Sequence, residues 1–106
     1  MTDALKSRLL VFIVAYNAET TIKQVLSRIP AELGLSFDVR ILAIDDASTD
    51  QTFTIGKSAQ EELRLPFNFT IFRNQKNLGY GGNQKVGYHY AIENSFDYVA
   101  LIHGDG

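Results

Sequence analysis

Apolar residues gather into runs of two kinds along the chain. Residues 9–15, LLVFIVA, form an unbroken apolar stretch rich in β-branched side chains. Such a run predicts a strand buried on both faces, the habit of parallel sheets. A short turn follows, and then Ile22, Val25, Leu26 and Ile29 recur at helical spacing until Pro30 ends the segment. Residues 37–44 make a second strand-like run that stops at Asp45-Asp46. The next helix carries Ile55, Ala59 and Leu63 on its apolar side, and Pro66 closes it. Residues 67–72 alternate apolar with polar, the mark of a half-buried strand near a sheet edge. The glycine-rich loop RNQKNLGYGG leads into a third helix from about residue 83 to 93, with Val86, Tyr90 and Ala91 or Ile92 available to pack. A fourth strand, 98–102, delivers His103-Gly104-Asp105-Gly106. Thr21 with Gln24, and Ser48 with Gln51, have the spacing of capping boxes at the first two helices.

The order β-α-β-α-β-α-β predicts an α/β chain: a Rossmann-like, three-layer α/β/α sandwich with a mostly parallel sheet and right-handed crossovers. The pattern does not itself fix strand order. The order 3-2-1-4, with the first strand central as is common in doubly wound sheets, puts a crevice between strands one and four, outside their C-terminal ends. Each polar cluster falls at such an end.

Length and composition narrow the function. The 106 residues suffice for one domain, spanning 1–106, with one core. At 45% apolar and 21% charged the composition is that of an ordinary globular chain. The net charge of −2 gives no basic footprint for nucleic acid. Absence of cysteine excludes disulfides and thiolate metal sites and suits a reducing compartment, so a cytoplasmic location is expected. The start MTDALKSR is too polar for a signal peptide, and the first apolar run is too short to span a bilayer.

Several clusters can carry chemistry. Asp45-Asp46 after the second strand suits a ligand such as a ribose hydroxyl, but one of the pair, with Ser48 and Asp50, equally serves to shape the turn and cap the helix. The first strand is followed by Ala15-Tyr16-Asn17-Ala18-Glu19, without the glycines a dinucleotide pyrophosphate needs, which argues against an NAD-binding Rossmann domain. Asp105 and His103 offer an oxygen and a nitrogen beside the crevice. A carboxylate there cannot hold a diphosphate without a divalent cation, and Mn²⁺ tolerates imidazole as well as oxygen. The structural alternative is a turn in which Gly104 and Gly106 supply positive φ and Asp105 is merely solvated. The glycines around Tyr80 permit close approach of a ligand to backbone, with Lys85 a candidate phosphate partner, or they form a plain surface loop.

Taken in order, VFIVAYNAETTI, AIDDASTDQT, NLGYGGNQKVG and the terminal HGDG resemble the motifs of family 2 glycosyltransferases of the GT-A fold, over about residues 8–106. The second motif is the most specific. The resemblance implies a donor-binding region that handles a UDP- or GDP-sugar, in a protein that transfers the sugar with inversion and with help from Mg²⁺ or Mn²⁺. It assigns Ala15, Tyr16, Asn17 and Glu19 to the nucleotide pocket, and Asp46, helped by Asp45, to the base or ribose. It assigns Gly79, Gly81 and Lys85 to a loop closing over the nucleoside, and Asp105 to the metal, with His103 where the family has the first aspartate of D-x-D. Asn83-Gln84 departs from the small apolar pair usual in the family. The nearest group is that of polyprenyl-phosphate mannose synthases, which suggests a lipid phosphate as acceptor and the cytoplasmic face of a membrane as the place of work. The family's catalytic base lies C-terminal to D-x-D, so no residue here is assigned as base. The chain is expected to be truncated at that motif, inactive alone, and to self-associate through an exposed sheet edge. The alternative is a nucleotide- or metabolite-binding α/β module without transferase activity. A receiver domain is remote, because its acidic pair follows the first strand and this chain has AYN there.

Overall fold

The computed structural model describes residues 6–105. Four strands, β1 (Ser7–Ala15), β2 (Phe37–Asp45), β3 (Asn68–Arg73) and β4 (Tyr98–His103), alternate with helices α1 (Ile22–Ser27), α2 (Thr52–Glu62) and α3 (Gly79–Glu93). All strands are parallel, in the order β3-β2-β1-β4. This is the expected α/β/α arrangement with β1 at the centre.

β1 is central because its run has no polar face to give to water. Val11, Ile13 and Ala15 pack with Ile22, Val25, Leu26 and Ala59 on the side of α1 and α2. Leu10, Phe12 and Val14 pack with Ala91 on the side of α3. β3 alternates exposed and buried residues at one edge. At the other edge β4 is only partly covered, and an apolar groove of about 420 Å³ runs along it, lined by Val25, Ile29, Leu33, Ala100 and Ile102 among others.

The helix termini depart from expectation. Neither capping box forms. The Thr21 hydroxyl donates to the Gly104 carbonyl at 2.7 Å, tying the start of α1 to the exit of β4. Ser48 turns back to Asp45, and α2 begins at Thr52, whose backbone N–H and hydroxyl donate to the Asp50 carboxylate. A 3-10 turn, Ala31–Leu35, follows Pro30. α3 starts four residues earlier than predicted and takes the glycines of the loop into its first turn. Asn77 Oδ1 accepts the Gly79 N–H, Asp46 Oδ1 accepts the Leu78 N–H, and Gly79 takes φ +79°, a conformation that costs glycine least.

The buried side of α3 is Asn83, Gly87 and Ala91, whereas Val86 and Ile92 face outward. A Cβ on Gly87 would lie 2.0 Å from the ring of Phe12, so α3 approaches the sheet along a line without side chains. Gly104 serves likewise. Residues 104–105 form a turn, but the φ of Gly104 is not positive as the structural alternative had it, and a Cβ would meet Ala15 Cα and the Val14 carbonyl at 3.2 Å. Gly106 lies outside the described residues.

Candidate functional site

A parallel sheet sends every strand out at one end, and the backbone continues the pairing just past the last residues. The Asp46 N–H donates to the Ala15 carbonyl, the Asn74 N–H to the Asp45 carbonyl and the Gly104 N–H to the Val14 carbonyl. Three exit loops are thereby held at fixed depth beneath the N-terminus of α3. Between them lies a cleft of about 370 Å³ lined by Val14, Ala15, Tyr16, Asp46, Asn77, Gly79, Tyr80, Asn83, His103 and Asp105. It spans the exits of β2, β1 and β4, wider than the β1–β4 crevice expected.

Of the candidates named from sequence, the cleft gathers Ala15, Tyr16, Asp46, Gly79, His103 and Asp105. Asn17, Glu19, Asp45, Gly81 and Lys85 are not among its lining. Asn17 (φ 49°) accepts the Thr49 N–H on Oδ1 at 2.9 Å and donates its own N–H to Ser48 Oγ at 2.8 Å. Glu19 Oε2 accepts the Gln51 N–H at 3.1 Å. These two residues latch the β1 loop onto the β2 loop behind the cleft wall. Asp45 is buried, its Oδ1 accepting from Ser48 N–H and hydroxyl, while among the described residues Oδ2 has only Arg73 Nε at 3.8 Å. It shapes the turn, as the structural alternative has it. Gly81 and Lys85 lie two residues either side of Asn83, about 200° around the helix from its buried side, and both are exposed.

Asp46 is held from several directions, and its backbone carbonyl accepts from Asn77 Nδ2 at 3.1 Å. Its Oδ1 accepts Asn74 Nδ2 at 2.9 Å and the Leu78 N–H at 2.8 Å, and its Oδ2 makes no hydrogen bond within the described residues. A carboxylate with one oxygen committed and one free, in a cleft, accepts a donor from a ligand. It also sits at the start of α3, where the helix dipole favours negative charge.

On the other flank the rings of His103 and Tyr80 stack with centroids 5.2 Å apart, and the Tyr80 hydroxyl lies 3.3 Å from His103 Nε2. Tyr80, Asn77, Asn83 and Val14 were not named as site residues. The signal for Tyr80 was a large side chain among glycines, whereas Asn83 stood out only as a departure from the family's small apolar pair, and its role depends on which face of α3 is buried.

Elsewhere, burial pulls the Asp50 carboxyl upward. Hydrogen bonds from the Thr52 hydroxyl and from the Thr52 and Glu19 backbones outweigh this and hold it below the ordinary carboxylate value.

Among the described residues the cleft lining has two carboxylates, one imidazole and no lysine or arginine. Among the described residues no group of three or more His, Cys, Asp or Glu side chains is placed to hold a metal. A cation held by Asp105 and His103 would have to take its remaining ligands from water and from a bound anion, a coordination habit of Mg²⁺ and Mn²⁺. Among the described residues no helix is long and apolar enough to cross a membrane.

The profile of one protein family, described as Glycosyl transferase family 2, matches residues 10–106. No curated protein sequence matches significantly. Among solved structures, the chain is similar to a mannosyltransferase, PcManGT, from Pyrobaculum calidifontis in complex with GDP-Man and Mn²⁺. The TM-score is 0.73 at 17% identity, covering 97% of this chain and 29% of that one. It is also similar to residues 1–349 of S. aureus TarS in complex with UDP-GlcNAc, with a TM-score of 0.66 at 23% identity, covering 92% of this chain and 26% of that one. The same TarS segment in complex with UDP gives a TM-score of 0.67 at 21% identity, covering 92% and 27%. The chain thus spans between a quarter and a third of the length of these structures, and at such identities the likeness is one of fold.

Proposed function

The chain belongs to glycosyl transferase family 2, and from that premise we propose that its cleft is the donor site of a sugar-transferring enzyme that binds a UDP- or GDP-sugar. The observation that carries this reading is the meeting in one cleft of Asp46 from the second motif with His103 and Asp105 from the terminal one. Asp46 offers a hydrogen-bond acceptor to the nucleoside. Asp105 and His103 offer two ligands to a divalent cation, Mn²⁺ by preference, which when bound would neutralise the diphosphate and ease its departure. With no lysine or arginine in the lining, the cleft's own residues supply no fixed cation for that anion.

In the whole protein we place inverting transfer to an acceptor, with a polyprenyl phosphate as the class proposed, at the cytoplasmic face of a membrane. The catalytic base is assigned to no residue of this chain. Asn17, Glu19 and Asp45 support the cleft from behind in this reading, while Gly81 and Lys85 are left for contacts with a closed form of the loop. The apolar groove along β4 is proposed to drive self-association of this chain, and sedimentation at rising concentration tests it: a monomer throughout would count against it.

Calorimetric titration with UDP and GDP, with and without Mn²⁺, tests the donor site. Manganese-dependent binding that disappears in Asp46→Ala and Asp105→Ala is the expected result. No binding to folded protein would sink the reading. Tight nucleotide binding indifferent to metal would instead favour a nucleotide-binding module without transfer.

A further inference from the structure

Asn83 is a polar side chain only 2% exposed, on a helix face otherwise made of Gly87 and Ala91. Burying an amide is costly unless it is fully bonded. Its Nδ2 donates to the Ile44 carbonyl at 3.1 Å, and its Oδ1 accepts from Asn74 Nδ2 at 3.1 Å. The same Asn74 nitrogen donates at 2.9 Å to Asp46 Oδ1. The direction of this chain is fixed from both ends. A carbonyl and a carboxylate only accept, so Asn83 must turn its nitrogen to Ile44 and Asn74 must turn its nitrogen to Asp46. What remains is one N–H of Asn74 for Asn83 Oδ1.

We infer that Asn74 and Asn83 are positioning residues that clamp Asp46 so that a single oxygen, Oδ2, faces the cleft and selects a nucleobase with a ring N–H. This rests on the donor-site reading above. The cation ligands lie at the exit of β4, and Asp46 lies at the exit of β2, with β1 between them. Two strand spacings are about 10 Å, which lets a diphosphate reach the β4 side while the base sits by Asp46. Uracil and guanine carry a hydrogen on the ring nitrogen of their pairing edge, whereas cytosine and adenine present a lone pair there. A freely rotating carboxylate can swing to meet an exocyclic amine. One whose Oδ1 is tied to Asn74 and to the Leu78 N–H cannot, so the clamp converts a general acceptor into a discriminating one.

The test uses Asn74→Ala, a part-buried position at the strand exit, and Asn83→Ala, each checked for fold by its melting curve. Affinities for UDP, CDP, GDP and ADP are measured by calorimetry with Mn²⁺, and exchange of the Leu78 amide by NMR. In Asn74→Ala the preference for UDP over CDP, or GDP over ADP, is expected to fall about 10-fold, the worth of one charge-assisted hydrogen bond. Asn83→Ala should fall in the same direction by less. Leu78 exchange is expected to quicken at least about 10-fold while the β1 amides keep their protection. An equal loss for all four nucleotides, which a merely structural role would give, overturns the discriminating role. Unchanged Leu78 exchange overturns the clamp. A wild-type chain that binds none of the four overturns the donor-site reading and the selection with it, and Leu78 exchange still decides the clamp.

Discussion

Tyr80, from the first turn of α3, stacks on His103 at the end of β4, their planes 14° from parallel. Both residues line the cleft, and the contact places a phenol hydroxyl beside Nε2 of the imidazole proposed to bind a cation. A cation bound through Nε2 would compete with Tyr80 for that nitrogen. Tyr80→Phe keeps the stacking and removes the hydroxyl, so Mn²⁺ affinity is expected to rise about 2- to 10-fold, the range of one neutral hydrogen bond. Titration of both proteins with Mn²⁺ checks this, and equal affinities would argue that His103 does not bind it through Nε2.

Gly87 sets how closely α3 approaches the sheet. A Cβ there would stand 2.0 Å from the Phe12 ring, which is fully buried and cannot swing aside into open space. Gly87→Ala is expected to destabilise the chain by about 1–3 kcal/mol or more despite the better helix propensity of alanine. Urea denaturation measures it, and a gain in stability would show that Phe12 repacks freely.

Ala47, between Asp46 and Ser48, has φ 57°. A non-glycine residue in that region costs roughly 1 kcal/mol or more, against which glycine's extra freedom in the unfolded chain must be set. Ala47→Gly is expected to raise the melting temperature slightly and leave the cleft intact. A lowered melting temperature would mean that the Ala47 methyl packs for more than the strain it carries.

Asp50 should make stability fall on acidification. Its carboxyl is held below the usual value of 3.8 by hydrogen bonds that the unfolded chain lacks. The sign follows from linkage: the contribution is present above the unfolded value and is lost as pH drops through the folded one. Thermal melts from pH 6 down to about 2 should show a drop beginning near the usual carboxylate range, and Asp50→Asn should flatten that part of the curve. Parallel curves for the two proteins would mean that Asp50 contributes nothing pH-dependent.

The sequence by itself determined the layered fold and the end of the sheet that carries the site. Period and composition did this locally: an apolar run such as LLVFIVA has no face for water and must be central, and polar clusters after strands must share one end of a parallel sheet. That Asp46, His103 and Asp105 come together at that end was legible for the same reason. Only the tertiary structure decided which of their neighbours join them. Asp45 and Asp46 are adjacent and alike in sequence, but successive residues leaving a strand point to opposite sides, so one is buried against Ser48 and the other opens on the cleft. The buried face of α3 was hidden too, because Asn83, Gly87 and Ala91 carry almost no apolar signal. What buries them is close approach to Phe12 and a hydrogen bond to the Ile44 carbonyl, contacts 75 and 39 residues away along the chain. Periodicity reads the side chains a helix owns, and the surface against which α3 packs belongs to β1 and β2.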